Sequence, residues 1–298
     1  KKKSTKRFAQ EKKIVKKIFK KYDLCVNLTS SDRSVIYALL AAKISISAVE
    51  KNRYKSWWKR LLLSHSYEFE NNNHILINNL KPLRILNLIT SLEIAAPKID
   101  LNASKIIKNK LKKLNIHKFI IFHPSAQYKY KVYDTKLREE LLFLLNSLNI
   151  PIIVTGGLTE IDKEIKKTLP KFNNIFDFIG QTSLDEYISL SSLSECYIGM
   201  DTLNMHIAAT QNKRIFAIFG PTKQEVWSPW SNNIQGCAGK PEPKQTYGNV
   251  TLFQANMPCV ACGEMGCNNN GLVSECLKNI SPNMIFKEIE DWFYSYSL

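Results

Sequence analysis

The sequence lacks the features of a membrane-spanning or secreted protein. No uninterrupted apolar run reaches the roughly 18 residues that a transmembrane helix needs, and the nearest candidate, residues 37–49, is broken by Lys43. No signal-peptide pattern is present. The seven cysteines are odd in number and concentrated near the C-terminus, which argues against a secreted disulfide framework. We therefore expect a protein of the reducing cytoplasm that does not span a bilayer.

Glycine and proline are also scarce, at 11 residues each in 298, while apolar types make up 44% and charged types 23%. These proportions are those of ordinary globular proteins and exclude disordered or collagen-like chains. At roughly 150 residues per domain, the length predicts two domains. The chain does not begin with methionine and its first residues have the pattern of a helix interior, so we expect the natural N-terminus to be missing.

Acidic residues are almost absent from the start of the chain. Residues 1–21 contain eleven Lys or Arg and one acid, Glu11, so this segment carries +10 of the formal net charge of +16. Such a segment attracts an anionic partner, which can be nucleic acid, an acidic membrane leaflet or a phosphorylated substrate. The same run is also typical of a solvated helix face, and the sequence alone leaves both interpretations open.

The first hundred residues predict helices and strands in turn. Apolar spacing indicates a helix over 8–19, a buried strand over 22–28, a helix over 31–42, a short strand over 45–49 and a helix over 54–63. Pro82 predicts a break in the apolar stretch 74–89, with a helix after it. Residues 95–102 contain a proline among polar residues and show no periodicity, so we place the domain boundary there.

Beyond that boundary the alternation becomes regular. Strands are predicted at 118–123, 150–155, 175–179, 196–199 and 214–219, with a helix before the first and between each pair. This alternation specifies a parallel sheet that is covered by helices on both faces. Residues 228–257 are predicted to be mostly loop, and residues 282–294 to form a closing helix.

Each of these strands is followed by a polar or glycine-containing tail. The tails are HPSAQYKYK at 123–131, TGG at 155–157, IGQTS at 179–183, GMDTLNMH at 199–206 and FGPT at 219–222. The carboxyl ends of parallel strands lie at one edge of a sheet, where helix N-termini present N–H groups. We therefore expect the tails to converge on one site with affinity for anions.

The tails contain a specific combination of motifs. Asp201 and Thr202 precede the segment HIAA at 206–209, and the Phe-Gly-Pro-Thr tail is followed by Trp227 and Pro229. This combination resembles glycosyltransferase family 9, the ADP-heptose heptosyltransferases of lipopolysaccharide core assembly. YDLCVNLTSSDRS in the first region looks like the family's Tyr-Asp-Leu-Val-Ile-Asn-Leu stretch before Arg-Ser, and MPCVACGEMGC with SECL is similar to the heptosyltransferase III branch. The family's N-terminal segment has no counterpart here.

The resemblance implies an α/β fold of the GT-B type, with two Rossmann-like parallel-sheet domains facing across a cleft and the first domain missing its N-terminal strands. Residues 1–100 would bind the acceptor and residues 101–280 the nucleotide-sugar donor, with the C-terminal helix at 281–298 packing back on the first domain. The implied reaction is an inverting transfer of heptose from ADP-heptose to the inner core of lipopolysaccharide or lipooligosaccharide. The Asp that the family is thought to use as general base would lie in the missing segment.

The resemblance also implies roles for individual residues. Lys131 would neutralise the departing diphosphate, and Asp201 would face the donor sugar or cap the helix that follows it; these two are the predicted catalytic residues. Glu160 resembles the acid that receives the ribose hydroxyls, although a glutamate in a first helical turn is also favoured by the helix dipole. The full set of predicted donor contacts is Ser125, Ala126, Lys131, Glu160, Thr182, Asp201, Thr202, Leu203 and His206.

The predicted acceptor is the phosphorylated lipopolysaccharide core. Arg33 and Arg53 lie where relatives present basic residues to it, and each is equally typical of a surface charge. The basic N-terminal segment adds an expected peripheral contact with the inner face of the bacterial inner membrane. One alternative keeps the donor and transfers heptose to an autotransporter protein. A more distant alternative is a basic nucleic-acid or membrane-surface binding module, which would bind nucleic acid in a salt-sensitive way and ignore ADP; our main interpretation expects no nucleic-acid partner.

Four cysteines near the C-terminus have the spacing C-x2-C-x4-C-x8-C: Cys259, Cys262, Cys267 and Cys276. This spacing is typical of a structural zinc or iron site, and reduced thiols that fold a loop explain it equally well. We expect any such metal to stabilise the fold only. No cofactor is expected for catalysis, which agrees with the absence of an Asp-x-Asp motif from the sequence.

Overall fold

The computed structural model describes residues 2–296, with the side chains of the first helix described from residue 9 onward. The chain divides into two compact units, Lys1–Ser91 and Leu92–Leu298. None of the helices within residues 2–296 combines the length and apolarity that crossing a bilayer requires.

The first unit contains a three-stranded parallel sheet in the order β1-β2-β3. Its elements are α1 (Lys2–Ile18), β1 (Tyr22–Asn27), α2 (Asp32–Ala41), β2 (Ala42–Val49), α3 (Arg53–Leu62), β3 (His65–Glu68) and α4 (Ile75–Ile85). The central strand β2 is the most apolar, and its residues Ile46, Ala48 and Val49 are fully buried. The sequence analysis missed β3, because its four residues, HSYE, have only one buried position.

The predicted helix break at Pro82 is wrong, since α4 continues through this residue to Ile85. Pro82 lies in the last turns of an 11-residue helix, so its missing N–H removes only the bond to the carbonyl of Asn78. Asn78 is itself anchored, because its side chain donates to the carbonyl oxygens of Glu70 and Asn73. Pro82 is also buried, so its ring packs against the unit rather than facing solvent.

The second unit is built on a seven-stranded sheet in the order β6-β5-β4-β7-β8-β10-β9, in which only the β10–β9 pair is antiparallel. Its strands are β4 (Ile120–His123), β5 (Ile152–Gly156), β6 (Ile175–Ile179), β7 (Cys196–Met200), β8 (Arg214–Ile218), β9 (Lys244–Tyr247) and β10 (Val250–Phe253). Its helices are α5 (Leu101–Lys113), α6 (Thr135–Asn146), α7 (Glu160–Lys167), α8 (Leu184–Leu193), α9 (Leu203–Thr210), α10 (Gln224–Trp227), α11 (Glu275–Lys278) and α12 (Pro282–Tyr296). Three-residue 3₁₀ turns occur at Lys129–Lys131 and Cys267–Asn269.

The prediction that residues 228–257 are mostly loop is wrong where β9 and β10 form a hairpin. Gly248 makes the turn with φ of +50°, a conformation that glycine adopts without steric cost. All four residues of β10 are buried, because the strand pairs with β8 on its other side. A four-residue apolar run is too short for its periodicity to separate it from a loop.

Helices cover both faces of this sheet. On one face Ile120, Phe122 and Val154 pack with α6 and α12; on the other, Ile121 and Ile153 pack with α5, α8 and α9. The C-terminal helix was expected to pack on the first domain. Its buried residues Ile285 and Ile289 join the core of the second unit, where α12 lies against α6.

Candidate active site

A cavity of about 360 Å³ opens beside the ends of β4, β5 and β7, which are neighbours in the sheet. Six of the predicted donor contacts line it: Ser125, Ala126, Lys131, Asp201, Thr202 and Leu203. The other lining residues are His123, Gln127, Tyr128, Gly157, Thr159, Asp162 and Asn204. The structure therefore gathers segments from three strand ends into one concave site.

The two predicted catalytic residues form an ion pair in this cavity. The Nζ atom of Lys131 lies 2.8 Å from Oδ2 of Asp201, and their side chains are 26% and 10% exposed. Asp201 directly follows β7, and Lys131 ends the 3₁₀ turn after β4. An ammonium group has three N–H donors, so Lys131 can hold the carboxylate and still donate to a ligand oxygen.

The N-terminus of α9 opens beside this ion pair. Its N-cap residue is Thr202 rather than Asp201, and the Thr202 side chain makes no capping hydrogen bond. Thr202 instead lies with its Oγ1 atom 3.4 Å from the hydroxyl of Tyr197. The first-turn N–H groups of an eight-residue helix are thus without a side-chain cap at the cavity wall, an arrangement that favours an anion.

Asp162 organises the opposite wall and was missed by the sequence analysis. Its side chain is 2% exposed and accepts four hydrogen bonds: from Ser125 Oγ, Gly157 N, Thr159 N and Thr159 Oγ1. Burial by itself raises the pKa of this carboxyl, but the four hydrogen bonds outweigh burial and hold the pKa below its usual value. The capping-box spacing Thr159-x-x-Asp162 after the TGG tail was the signal in the sequence.

His123, the last residue of β4, forms the floor of the site. Its Nδ1 atom shares a hydrogen bond of 2.9 Å with Thr155 Oγ1, and the Asn204 amide lies 3.1 Å from the same nitrogen. Burial lowers the pKa of His123 to about 4, although Asp162 and the Thr155 bond act in the opposite direction. The imidazole is therefore neutral near pH 7, where it can take part in hydrogen bonding without adding charge.

Three predicted donor contacts do not line the cavity. His206, one turn into α9, is half-buried. Burial lowers its pKa, the Asp201 carboxylate acts to raise it, and the Lys131 ammonium acts to lower it. His206 therefore lies within electrostatic reach of the ion pair. Glu160 has an 83% exposed side chain that pairs with Lys163 at 2.7 Å. Thr182 is half-buried in the segment between β6 and α8.

The two predicted acceptor contacts belong to the first unit. Arg33, on α2, pairs with Glu11 at 2.7 Å and lies over the ring of Tyr37. Arg53 is the exposed first residue of α3. Both present positive charge on the surface of that unit.

All seven cysteines are free thiols. Among the residues the structure describes, no group of three or more His, Cys, Asp or Glu side chains is placed to hold a metal ion. Burial and, to a smaller extent, the neighbouring Cys262, Cys267 and Cys259 together raise the pKa of Cys276 to about 11, so the four sulfurs share one region of the unit. The donor chemistry suits zinc or iron, and the metal site stays a prediction that elemental analysis of the purified protein tests.

Comparison with known proteins identifies the family. The family model described as glycosyltransferase family 9 (heptosyltransferase) matches residues 12–255. Lipopolysaccharide heptosyltransferase 3 of Escherichia coli is 25% identical over 227 residues, which cover 74% of this chain and 66% of that protein. The chain thus spans slightly less than two thirds of the length of this curated relative.

Solved structures show the same fold at low sequence identity. A family 9 glycosyltransferase from Veillonella parvula superposes with a TM-score of 0.70 at 13% identity, covering 97% of this chain and 79% of that one. The ADP-heptose lipopolysaccharide heptosyltransferase II of Escherichia coli superposes with a TM-score of 0.67 at 15% identity, covering 99% and 83%. The predicted α/β fold of the GT-B type, with two mainly parallel sheets, is confirmed. With the family model matched over most of its length, this chain belongs to glycosyltransferase family 9, the heptosyltransferases.

Proposed function

We propose that this protein transfers heptose from ADP-heptose to the phosphorylated inner core of lipopolysaccharide or lipooligosaccharide. The observation that carries the proposal is the Lys131–Asp201 ion pair, placed 2.8 Å apart in a cavity beside an uncapped helix N-terminus. A relative named lipopolysaccharide heptosyltransferase 3 and a matching structure named ADP-heptose lipopolysaccharide heptosyltransferase II support the donor and acceptor classes. Nothing observed favours the autotransporter or nucleic-acid alternatives.

In this proposal the diphosphate of the donor binds between Lys131 and the first turn of α9. Negative charge builds on the diphosphate as the bond to the sugar breaks, and an ammonium and helix N–H groups already in place stabilise that charge. Asp201 loses part of its contact with Lys131 when the phosphate arrives, so its oxygens become available to sugar hydroxyls. Attack of an acceptor hydroxyl on the anomeric carbon then forms the new glycosidic bond with inversion as ADP leaves, and the hydroxyl proton passes to a general base. Catalysis thus rests on positioning, proton removal and stabilisation of the departing charge.

The adenosine part of the donor would extend along the ends of β5 and β6. Thr159 lines the cavity, and Glu160 begins α7 at the next position. Glu160 is exposed and held by Lys163, so its carboxylate is accessible to the ribose hydroxyls. The backbone at Thr182, which follows β6, would receive the adenine in the same direction along the sheet edge.

Calorimetric titration with ADP, ADP-heptose and UDP-glucose tests the donor assignment. We expect the two adenosine ligands to bind and UDP-glucose not to. Lys131→Ala should weaken ADP binding by about 1–3 kcal/mol, the scale of a lost charge-assisted hydrogen bond. Lys129→Ala is the matched control, because Lys129 lies two residues away, pairs with Glu164 and does not line the cavity. Equal effects of the two substitutions, or unchanged affinity in Lys131→Ala, would overturn the role of Lys131.

We also propose that α1 brings the enzyme to an anionic membrane surface where its acceptor is found. The described part of this helix exposes Lys12, Lys13, Lys16 and Lys17. Each lysine close to an acidic lipid surface contributes about 1 kcal/mol at low ionic strength. The contact is thus expected to be salt-sensitive.

Cosedimentation with phosphatidylglycerol vesicles measures this contact. Replacing the four α1 lysines by glutamine should abolish vesicle binding at low salt. The control replaces four exposed lysines of α5, Lys105, Lys108, Lys112 and Lys113, which removes the same charge from the second unit. Loss of binding in both variants would mean that net charge alone, and not α1, drives the association.

A further inference from the structure

A second cavity, of about 450 Å³, lies elsewhere in the second unit. It is bounded by the start of α6, one face of α7 and the segment 272–278. Its lining and that of the candidate active site, both drawn from the described residues, share no member. The 3₁₀ turn Lys129–Lys131 separates the two, with Lys129 at this cavity and Lys131 at the other.

A buried guanidinium group lines this cavity. Arg138 is 3% exposed, and its hydrogen bonds go to neutral oxygens only: the Tyr133 carbonyl at 3.3 Å, Thr135 Oγ1 at 3.4 Å and Thr168 Oγ1 at 2.9 Å. Within residues 2–296, the carboxylates of Asp134 and Glu139 act on it at longer range and form no ion pair with it. An arginine is seldom buried to this extent without a carboxylate or another anion.

A second buried polar group at the cavity, the hydroxyl of Ser274, differs from Arg138 in having no hydrogen-bond partner. The residue Ser274 is 5% exposed, and its hydroxyl makes no hydrogen bond. Buried hydroxyls are normally satisfied, so an unsatisfied one beside a cavity indicates a position where a ligand oxygen or water is bound. Ser274 and Arg138 come from segments far apart in sequence, and both line the same cavity.

The remaining charges make the cavity positive. Lys129, Lys167 and Lys278 line it together with Arg138, against the carboxylates of Asp134 and Glu164. Lys129 pairs with Glu164 at 3.2 Å, and Lys278 pairs outside the lining with Glu275 at 3.0 Å. The balance of four cations and two carboxylates favours an anion.

Part of the wall is apolar, which sets the size and nature of the ligand. Aliphatic side chains line it at Val132, Ile161, Ile165, Leu272, Val273 and Leu277. An isolated phosphate ion would leave this surface uncovered, because the cavity is large enough for a small organic molecule. A ligand that matches both the positively charged and the aliphatic parts of the lining has an anionic group and an apolar body.

We propose that this cavity is a binding site for an organic phosphate, whose phosphate group contacts Arg138 and Ser274 and whose apolar part covers the aliphatic wall. Arginine suits this role because its planar donors match phosphate oxygens. The site is separate from the proposed donor site and its ligand is a second molecule.

Calorimetry at low salt with phenyl phosphate, inorganic phosphate and benzyl alcohol tests the proposal. Phenyl phosphate should bind saturably with a Kd of about 1 mM or lower, and inorganic phosphate about tenfold more weakly because it buries no apolar surface. Benzyl alcohol should not bind. Saturable binding of phenyl phosphate must also persist in Lys131→Ala, because that residue belongs to the other cavity; loss of binding there would place the ligand in the donor site and overturn the proposal.

Variants at the cavity localise the binding. Lys167→Gln, an exposed position, should weaken phenyl phosphate binding by about threefold, and Lys171→Gln, which is exposed but outside the lining, should not. Arg138→Gln should weaken binding by about tenfold or more. Because loss of a buried arginine can unfold the unit, Val273→Trp provides a second variant that fills the cavity from a half-exposed position and should abolish binding. Unchanged binding in Val273→Trp, or equal effects at Lys167 and Lys171, would refute the site.

Soluble phosphate esters and lipid phosphates share the proposed chemistry. Titration with dihexanoyl phosphatidic acid below its micelle concentration separates them. If dihexanoyl phosphatidic acid binds more tightly than phenyl phosphate, the ligand of the cavity is a lipid phosphate. If it binds more weakly, the ligand is a soluble phosphate ester. Failure of all the phosphate probes to bind would refute the site and would leave the ADP titration of the first cavity unaffected.

Discussion

Asp162→Asn is the substitution that best tests how the candidate active site is held together. In the native chain, Oδ1 accepts from Ser125 Oγ and Gly157 N, and Oδ2 accepts from Thr159 N and Thr159 Oγ1. Each oxygen therefore faces one backbone N–H. An asparagine amide has one oxygen and one NH₂ group, so in either orientation its NH₂ faces a backbone N–H and leaves that donor without an acceptor.

The expected cost follows from this arrangement. A buried donor without a partner costs about 1–3 kcal/mol, and the remaining hydrogen bonds lose the extra strength that a charged acceptor gives them. We expect a loss of about 3 kcal/mol in the free energy of unfolding of the second unit. For a unit of this size, that corresponds to a fall of about 6–12 °C in Tm.

Urea unfolding followed by circular dichroism measures the loss. Glu160→Gln is the matched control, since it removes one negative charge from the first turn of the same helix at a position that is 83% exposed. That change removes a solvent-screened helix-dipole interaction and an exposed ion pair with Lys163, so it should lower the free energy of unfolding far less than Asp162→Asn. If the loss in Asp162→Asn is no larger than in Glu160→Gln, the hydrogen-bond reasoning is refuted.

The difference between wild type and Asp162→Asn should also depend on pH. The folded pKa of Asp162 lies below the ordinary value of 3.8, so between the two values the unfolded chain binds the proton and the folded chain does not. The stability that the carboxylate contributes is present above about pH 3.8 and is lost as the pH falls through the folded pKa. Repeating the urea series below pH 3.8 should therefore show a smaller penalty for the substitution.

Three further changes have expected outcomes. The pKa of His123 falls from 6.5 to about 4 on folding, so as the pH is lowered the unfolded chain takes up the proton before the folded chain does. The free energy of unfolding of the wild type should therefore drop by about 3 kcal/mol between pH 6.5 and 4, and urea unfolding at each pH should show a smaller drop in His123→Asn. Gly199→Ala should lower the free energy of unfolding by about 3 kcal/mol, measured by thermal unfolding, because the added methyl group would lie 2.4 Å from the His123 carbonyl oxygen. Gly239→Ala is the control, since its methyl group would meet only a side-chain atom at 3.7 Å. The side chain of Lys59 is fully buried and its Nζ atom lies 2.7 Å from Glu50, so Lys59→Met should lower the free energy of unfolding by about 2 kcal/mol. In a double-mutant cycle, adding Glu50→Gln to Lys59→Met should restore part of this stability.

Periodicity was sufficient to predict most of the second unit. The strands at β4, β5, β6, β7 and β8 are short, continuous apolar runs between amphipathic helices, which is the pattern of a parallel sheet covered on both faces. The hairpin of β9 and β10 could not be predicted in this way, because both strands are only four residues long and one of them, KQTY, is half-exposed at the sheet edge. β10 depends on its pairing with β8, and β9 on its pairing with β10, rather than on local pattern.

The site residues divide according to the kind of interaction that places them. Lys131 and Asp201 could be predicted because they lie in motifs at strand ends. Asp162 carries only a local signal, its capping-box spacing to Thr159, and the hydrogen bond that it accepts from Ser125, 37 residues away in sequence, could not be predicted. The second cavity likewise depends on Arg138, which is buried although its sequence context is that of an ordinary surface position on α6, and on residues 272–278, which line the same cavity.

Strand order explains why only some of the five strand-end tails meet. The chain passes from β4 outward through β5 to β6 and then returns to the other side of β4 to form β7 and β8. The loops after β4 and β7 therefore leave in opposite directions, and a crevice forms between them, which is where ligands bind in open parallel sheets. Lys131 follows β4 and Asp201 follows β7, so they meet across this crevice although 70 residues separate them in sequence. Thr182 follows β6, three places along the sheet from β7, and for that reason it lies beyond the cavity that holds the ion pair.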